Sequence, residues 1–456
     1  MPRSLMLWLL WCVGGAWCLP SVVWWTEMLF PHPGEGEEVA CPGGGRCLAR
    51  RRGSPPGEEG ETAYLFYGTD FKGDDLPLPR REGDLWSLLH EESPMNNFVL
   101  HLLSTYSLLN PLPHPRDTPL PLPTLHRLSL PYLTRRPPLP THHKNRLRKQ
   151  GLAPVLYLQS HCGVSSDRDR YVRRLMRLLP VDSYGGCLRN APLPLPLRTT
   201  DTHHSPLLMD FIARYKFHLA FENAICEDYV TEKLFRALHV GSVPIYRGSP
   251  SMLDWAPSPT SVVVADHFRG PEELARFILR LDADDTLYDA YLAWKGDGVS
   301  NAFLKKTLED RTWTVDDPTD TGQVHDPASM DFIRGFECYV CDQLCGKIPR
   351  PPPPDQRHMN CPPPHPSLPH LEDFDEEPEK VDSCRLDKGS CPLLAEGPLT
   401  DGHEMSLMRW SVDEWLRDYQ FAAQQAEAIA RMLHTGEGDS ARFLHHLDTF
   451  SPSTSV

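Results

Sequence analysis

Hydrophobic residues in the middle of the chain follow two alternating patterns. Short apolar runs of strand length are separated by stretches in which apolar residues recur at helical spacing. The predicted strands are Val155–Gln159, Phe217–Phe221, Val243–Tyr246 and Val262–Ala265. The predicted helices are Asp167–Leu179, Thr231–His239 and one that opens at Pro271 and buries Leu274, Phe277, Ile278 and Leu281. Alternating strands and helices predict parallel pairing with right-handed crossovers, which is a doubly wound α/β sheet.

The flanking segments carry weaker patterns. Before residue 150, Val22–Trp25 and Tyr64–Tyr67 are predicted strands of another α/β unit. Residues 110–140 are rich in Pro and Leu, which argues against a regular helix or central strand and favours an irregular segment lying against the fold. Near the carboxyl end, Val412–His434 has an apolar stripe typical of a helix that docks on the body.

These patterns divide the chain into five parts. We predict a targeting segment at 1–20, an α/β domain with a Pro-rich insert at 21–150, and a second α/β domain at 151–346. A Pro-rich, acidic linker at 347–400 and a helical tail at 401–456 follow.

Composition and the amino terminus limit the function further. The 456 residues carry a formal charge of −15, which disfavours general nucleic-acid binding. Residues 1–20 join one Arg to an apolar core and small residues, so they are either a cleaved signal peptide or a short type II signal-anchor. Both alternatives deliver the body to the secretory pathway, with membrane contact through this segment alone.

Of the thirteen cysteines, Cys12 and Cys18 lie in the targeting segment, and the others are interpreted in an oxidising compartment. Cys41 and Cys47 flank a Gly-rich loop and are predicted to pair with each other. Cys338, Cys341 and Cys345, with Cys361 further on, could be a zinc site, but disulfides are favoured in the lumen. Eleven cysteines follow the targeting segment, and since eleven is odd, at least one thiol is free or pairs between chains.

The residues with the strongest chemical signal lie in 217–248, a predicted strand–helix–strand unit. Glu222 and Asn223 follow a buried strand, where ligands of open α/β sheets bind. Asp228 or Thr231 can cap the next helix. Lys233 sits in its first turn, where a cation is disfavoured by the helix dipole unless an anion such as a phosphate is also bound. The ordinary alternative is a surface Glu232–Lys233 pair on an amphipathic helix.

The segments FENAICEDYVTEK and VPIYRGSP resemble the donor-site signature of the α1,3-fucosyltransferases, glycosyltransferase family 10. HEESPMNNF, YLQSHC, VDSYG and GFECYVCD resemble its divergent fucosyltransferase ten/eleven subgroup, also described as protein O-fucosyltransferases three and four. The resemblance implies a GT-B fold, in which two Rossmann-like domains enclose a cleft. It places an acceptor-side domain first and GDP-fucose on the second domain.

The resemblance also assigns residues. At the donor it places Arg168, Glu222, Asn223, Tyr229, Glu232 and Lys233, with Arg170 as a neighbour of the first. The catalytic base is Glu92 of the Glu-Ser-Pro run, for which Glu91 is a competitor, and Lys233 also assists catalysis by stabilising the leaving diphosphate. Asp282 and Asp284 mimic a metal-binding motif but are interpreted as a solvated helix end, so no metal or other cofactor is expected.

The expected reaction is inverting transfer of L-fucose from GDP-β-L-fucose to a secretory-pathway glycoprotein. The subgroup implies Ser or Thr of small disulfide-rich (EMI-like) domains as acceptor, in the endoplasmic reticulum lumen or membrane, with the Golgi as alternative. Two further readings remain: α1,3-fucosylation of GlcNAc in N-glycans, and a non-catalytic lumenal GDP-sugar-binding protein. Residues 98–123, which depart from the family pattern on the acceptor side, argue mildly for the last, and the retained donor residues argue against it.

Overall fold

Two largely parallel β-sheets form the framework of the protein. The computed structural model describes residues 19–34, 36–53, 61–90, 92–111, 130–198, 205–309, 332–352, 361–362, 412–436 and 440–448. The first sheet contains β1 (Ser21–Trp24), β2 (Gly36–Ala40), β3 (Arg46–Arg51), β4 (Thr62–Tyr67), β5 (Leu85–Leu89) and β6 (Asn110–Pro111). The second contains β7 (Val155–Leu158), β8 (Val181–Tyr184), β9 (Phe217–Phe221), β10 (Val243–Arg247) and β11 (Val263–Val264).

Both sheets are wound in the same order. The second runs β11-β10-β9-β7-β8 and is parallel throughout. The first runs β2-β3-β1-β4-β5-β6, parallel except for β2, which pairs antiparallel with β3 at the edge. Leaving out β2, each sheet has the 2-1-3-4-5 order of a doubly wound fold. The prediction of two Rossmann-like domains of GT-B type is confirmed.

Helices cover the sheets and connect their strands. They are α1 (Leu103–Tyr106), α2 (Leu130–Thr134), α3 (Thr141–Lys149), α4 (Arg168–Leu178), α5 (Pro206–Ala213), α6 (Glu232–Val240), α7 (Met252–Trp255), α8 (Pro271–Ala283), α9 (Asp285–Ala290), α10 (Trp294–Asp297), α11 (Ala302–Glu309), α12 (Phe332–Leu344), α13 (Val412–Thr435) and α14 (Ser440–Asp448). The strands and helices predicted for 155–283 and 412–434 all form, within two residues of their predicted ends.

Helix α12 packs on the first sheet, although the sequence assigned it to the second domain. Phe336, Val340 and Leu344 recur at helical spacing and join Val22 and Leu65 in one core. Helix α13 also docks on the first sheet, where Ile429 and Met432 lie in a core with Phe66 and Trp86, so the predicted docking of the tail is confirmed.

The cysteine pairing corrects the sequence prediction. Cys41 bonds to Cys338 and Cys47 bonds to Cys341, rather than to each other. The physical reason is that both cysteines of the β2–β3 hairpin belong to the buried core that α12 covers, and the two helix cysteines, three residues apart, share a face of that helix. The disulfide reading of Cys338 and Cys341 is confirmed. Among the described residues Cys345 is free, with its Sγ 3.9 Å from that of Cys47.

The Pro-rich segments are described in part. Residues 112–129, most of 347–400 and residues 1–18 lie outside the described ranges. The prediction that 110–140 excludes a helix is wrong for α2, whose Pro131 sits in the first turn, where its missing N–H is not needed. Tyr132 of α2 stacks on His239 of α6 with ring centroids 3.7 Å apart. No helix in the described ranges combines the length and apolar character needed to cross a bilayer.

Candidate active site

The carboxyl ends of β7 and β9 form the switch point of the second sheet, where neighbouring connections leave in opposite directions. Glu222 and Asn223 follow β9 directly, as predicted. The segment after β7 is fastened to them, because the Ser166 amide donates to the Asn223 carbonyl at 3.0 Å and the Ser166 hydroxyl to the Glu222 carbonyl at 2.7 Å. This places the start of α4 beside the residues that end β9.

The amino terminus of α6 holds a buried ion pair. Thr231 is its N-cap, which decides between the two predicted caps. The Glu222 carboxylate is fully buried and accepts from the Thr231 amide at 2.8 Å, from the Thr231 hydroxyl at 2.8 Å and from Lys233 Nζ at 3.2 Å. Glu222 is therefore an anion beside Lys233 that belongs to the chain itself. The positive end of the helix dipole stabilises its negative charge.

Charges at this terminus shift each other's pKa. Burial raises the pKa of Glu222, with Lys233 opposing it. Burial alone would lower the pKa of Lys233, but Glu222 and Glu232 outweigh it and raise that pKa above its ordinary value. Lys233 therefore stays cationic at neutral pH. Its side chain keeps 19% of its surface exposed and that of Glu232 29%, so the cluster is open on one side.

A fixed turn presents Tyr229 to the site. Asp228 adopts φ 55°, a left-handed conformation that Asp tolerates better than most residues. Its carboxylate accepts from the Ser251 hydroxyl at 2.7 Å and from Trp255 Nε1 at 2.9 Å, which holds the turn against α7. The sequence did not predict this role for Asp228, because its partners are more than twenty residues away.

Glu92 and Tyr229 connect the two domains. Glu92 follows β5 of the first sheet, and the Tyr229 hydroxyl donates to its Oε2 at 3.2 Å across a separation of 137 residues. Burial raises the pKa of Glu92, while Lys233 and the Tyr229 hydrogen bond lower it. The result is a carboxylate of increased basicity beside a cationic helix end, the combination a general base requires. The competitor Glu91 lies outside the described residues.

Arg168 is placed differently from a simple phosphate ligand. It is 1% exposed, and its guanidinium donates to the carbonyls of Phe221 at 2.9 Å and His161 at 3.1 Å. Its Nε is buried without a hydrogen-bond partner among the described residues and lies 4.0 Å from Asp169 Oδ1. Arg170 pairs with Asp167 at 3.4 Å. Arg168 thus supports the end of β9 and contributes positive charge beside Lys233.

A histidine pair that the sequence did not single out supports Glu92. His101 Nε2 lies 3.1 Å from the Glu92 carbonyl and 3.4 Å from His90 Nε2. Burial lowers the pKa of His101 to about 4 and that of His90 well below its usual range, so both rings are neutral at pH 7. Gly68 makes room for the pair, since a Cβ there would lie 2.0 Å from His90 Nδ1.

Gly248 is a second residue that the sequence did not single out. A Cβ at this position would lie 2.5 Å from the Tyr246 hydroxyl and 2.6 Å from Glu222 Cγ. The Tyr246 hydroxyl donates to the Tyr229 carbonyl at 3.3 Å. Gly248 therefore permits the close approach of β10 to the Glu222 cluster.

The candidate metal motifs lie elsewhere. Asp282 pairs with Arg148 at 2.9 Å and with Lys216 at 3.5 Å, and Lys216 precedes β9, at the opposite end from Glu222. Asp284 caps α9, accepting from Thr286 at 2.9 Å. Both acids therefore have structural partners at a helix end, as interpreted, although Asp282 is not solvated, since only 15% of its side chain is exposed.

Comparison with known proteins gives consistent matches. The profile described as glycosyltransferase family 10 (fucosyltransferase), C-terminal part, matches residues 147–316. "GDP-fucose protein O-fucosyltransferase 3" of Gallus gallus is 42% identical over 357 residues, which cover 76% of this chain and 72% of the relative. The protein of the same name from Homo sapiens is 41% identical over 356 residues, covering 76% and 71%.

Solved structures give a weaker likeness. An α1,3-fucosyltransferase with GDP-fucose matches at 17% identity and a TM-score of 0.34, covering 71% of this chain and 90% of that chain. The family profile covers the switch point of the second sheet and the whole of α6, and the relatives extend the match over three quarters of the chain. The chain belongs to glycosyltransferase family 10, the fucosyltransferases.

Proposed function

We propose that this protein transfers L-fucose from GDP-β-L-fucose to a hydroxyl of a protein acceptor, with inversion at the sugar carbon. The relatives at 41–42% identity are named GDP-fucose protein O-fucosyltransferases, which supports a protein acceptor. The observation that carries the catalytic proposal is the Tyr229–Glu92 hydrogen bond, because it brings a basic carboxylate of the first domain to the donor helix of the second.

The donor binds at the amino terminus of α6 in this proposal. The helix end, Lys233 and Arg168 supply positive charge for the diphosphate. Asn223 has a buried side-chain oxygen with no partner among the described residues, which suits a donor hydroxyl or N–H. Glu232, on the open side of the cluster, accepts hydrogen bonds from sugar hydroxyls, and Tyr229 faces the fucose. Glu222 does not contact the donor in this proposal; it positions Thr231 and Lys233 through its hydrogen bonds to them.

The reaction proceeds in one displacement. Glu92 takes the proton of the acceptor hydroxyl while the acceptor oxygen forms a bond to fucose C1. The bond from C1 to the diphosphate oxygen breaks at the same time, on the opposite face of the sugar. Lys233 and the helix end stabilise the charge that develops on GDP. No divalent metal is needed for these steps, so transfer should persist in EDTA.

The acceptor is Ser or Thr of a small, folded, disulfide-rich (EMI-like) domain, in the lumen of the endoplasmic reticulum. The subgroup resemblance and the predicted targeting segment support this choice. The test is to incubate the purified protein with GDP-fucose and a panel of such domains and of N-glycans, and to identify the modified atom by mass spectrometry. Fucose on GlcNAc alone would overturn the acceptor assignment.

Glu92→Gln tests the catalytic assignment, since the amide keeps the shape of the side chain but cannot accept the proton. Transfer should be abolished while GDP binding by calorimetry is unchanged. Glu91→Gln is the matched control and should remain active. An active Glu92→Gln beside an inactive Glu91→Gln would assign the base to the neighbouring residue.

A further inference from the structure

A disulfide holds the turn that carries Tyr229, in addition to the hydrogen bonds of Asp228 to Ser251 and Trp255. Cys226 bonds to Cys361, 135 residues later in the chain, in the segment that follows α12. Cys226 is 3% exposed. Together with Ala224 and Tyr229 it forms a small buried apolar cluster, against which Met95 of the first domain and Cys361 pack. We call the Cys226–Cys361 bond the cysteine clasp.

The clasp acts on Tyr229 through one turn of backbone. The Tyr229 amide donates to the Cys226 carbonyl at 3.3 Å, so these two residues close a four-residue turn around Asp228. A constraint on Cys226 is therefore a constraint on the position of Tyr229, whose hydroxyl must remain 3.2 Å from Glu92.

The other end of the clasp leads back to the first domain. Cys361 lies twenty residues after Cys341, which is bonded to Cys47 of the first sheet. The second-domain turn is thus joined covalently to the domain that carries Glu92. Met95, three residues after Glu92, contacts the same cluster and gives it a non-covalent connection as well.

From this arrangement we propose that the cysteine clasp and Met95 are positioning elements for the catalytic pair: they hold the Tyr229 hydroxyl on the Glu92 carboxylate. This inference rests on the proposed role of Glu92 as the base. Glu92 also faces Lys233, which lowers its pKa, Glu232 and Glu222, which raise it, and neutral His101 at its carbonyl, and none of these is changed. Because the Tyr229 hydrogen bond stabilises the charged carboxylate, losing it raises the pKa of Glu92. The clasp therefore sets the pH at which the enzyme becomes active.

The experiment measures kcat against pH for wild type, Cys226→Ser/Cys361→Ser, Tyr229→Phe and the combined variant. The acid limb should move to higher pH in the clasp variant, as in Tyr229→Phe, and the combined variant should show no additional shift. A movement of roughly half a pH unit lowers kcat about threefold on the acid side. GDP affinity should stay within about twofold, since no diphosphate contact changes.

Removal of Cys41–Cys338 is the matched control, because it deletes a disulfide of the first domain and should leave the limb in place. If the clasp variant is not secreted, Met95→Ala gives the same readout with all disulfides intact, and a smaller upward shift is expected. An unmoved limb, a limb at lower pH, or additive shifts in the combined variant would overturn the clasp. An active Glu92→Gln would instead overturn the proposed base.

Discussion

Glu222 offers the sharpest test of how the amino terminus of α6 is held. Its carboxylate is fully buried and receives three donors: the Thr231 amide, the Thr231 hydroxyl and Lys233 Nζ. Glu222→Gln keeps the size of the side chain and one oxygen acceptor. It replaces the other oxygen by an NH₂ group that faces a donor, and it leaves Lys233 without its buried counter-ion.

The expected cost follows from these contacts. Removing one member of a buried ion pair costs roughly 3–5 kcal/mol. Lys233 is partly exposed and keeps Glu232 at 3.5 Å, so the lower end of that range applies. We expect Glu222→Gln to lower the free energy of unfolding by about 3 kcal/mol. The matched control Glu232→Gln removes a carboxylate with 29% of its surface exposed and should cost less than about 1 kcal/mol.

Urea titrations at pH 7, with disulfides intact, give both values. Equal stabilities for the two variants would refute the account of α6.

Three other changes have defined outcomes. Lys233→Ala should weaken GDP binding by about 1.5–3 kcal/mol by calorimetry, since a charge-assisted contact is lost; unchanged affinity would remove Lys233 from the diphosphate site. Gly248→Ala should lower both thermal stability and GDP affinity, because its Cβ would press on the Tyr246 hydroxyl; wild-type values would show that β10 can yield. Lys144 of α3 is fully buried and donates to the carbonyls of Tyr215 and Gly241, and burial lowers its pKa to about 7. Above that pH the unfolded chain binds more protons than the folded protein, so stability rises from pH 7 towards 10.5. In urea titrations Lys144→Met should reduce this rise, and an unaltered slope would contradict it.

Much of the site was predictable because its signals are local. Fifteen residues contain the apolar run Phe217–Phe221, the polar pair that follows it and the helix cap at Thr231. Hydrophobic periodicity and helix capping are both determined by residues this close together, so the sequence shows them directly. The same holds for the resemblance, since FENAICEDYVTEK is continuous in the sequence. The roles of Arg168, Asn223 and Glu232 at the donor stay predictions until a ligand is bound.

The partners of these residues were not predictable. The sequence predicted an anion beside Lys233 but could not show that the Glu222 carboxylate lies there as well. It paired Cys41 with Cys47, although the core places both against α12. His101 belongs to no sequence motif, and only the folded chain places its Nε2 at 3.1 Å from the Glu92 carbonyl.

The sequence by itself determined the alternation of strands and helices and the family signature. Each of these depends on residues that are close together in the chain. The tertiary structure alone decided that α12 belongs to the first sheet and that Glu92 meets Tyr229, 137 residues away. The physical reason is that periodicity fixes which face of an element is buried, while the partner of that face is selected by packing among all the buried faces at once.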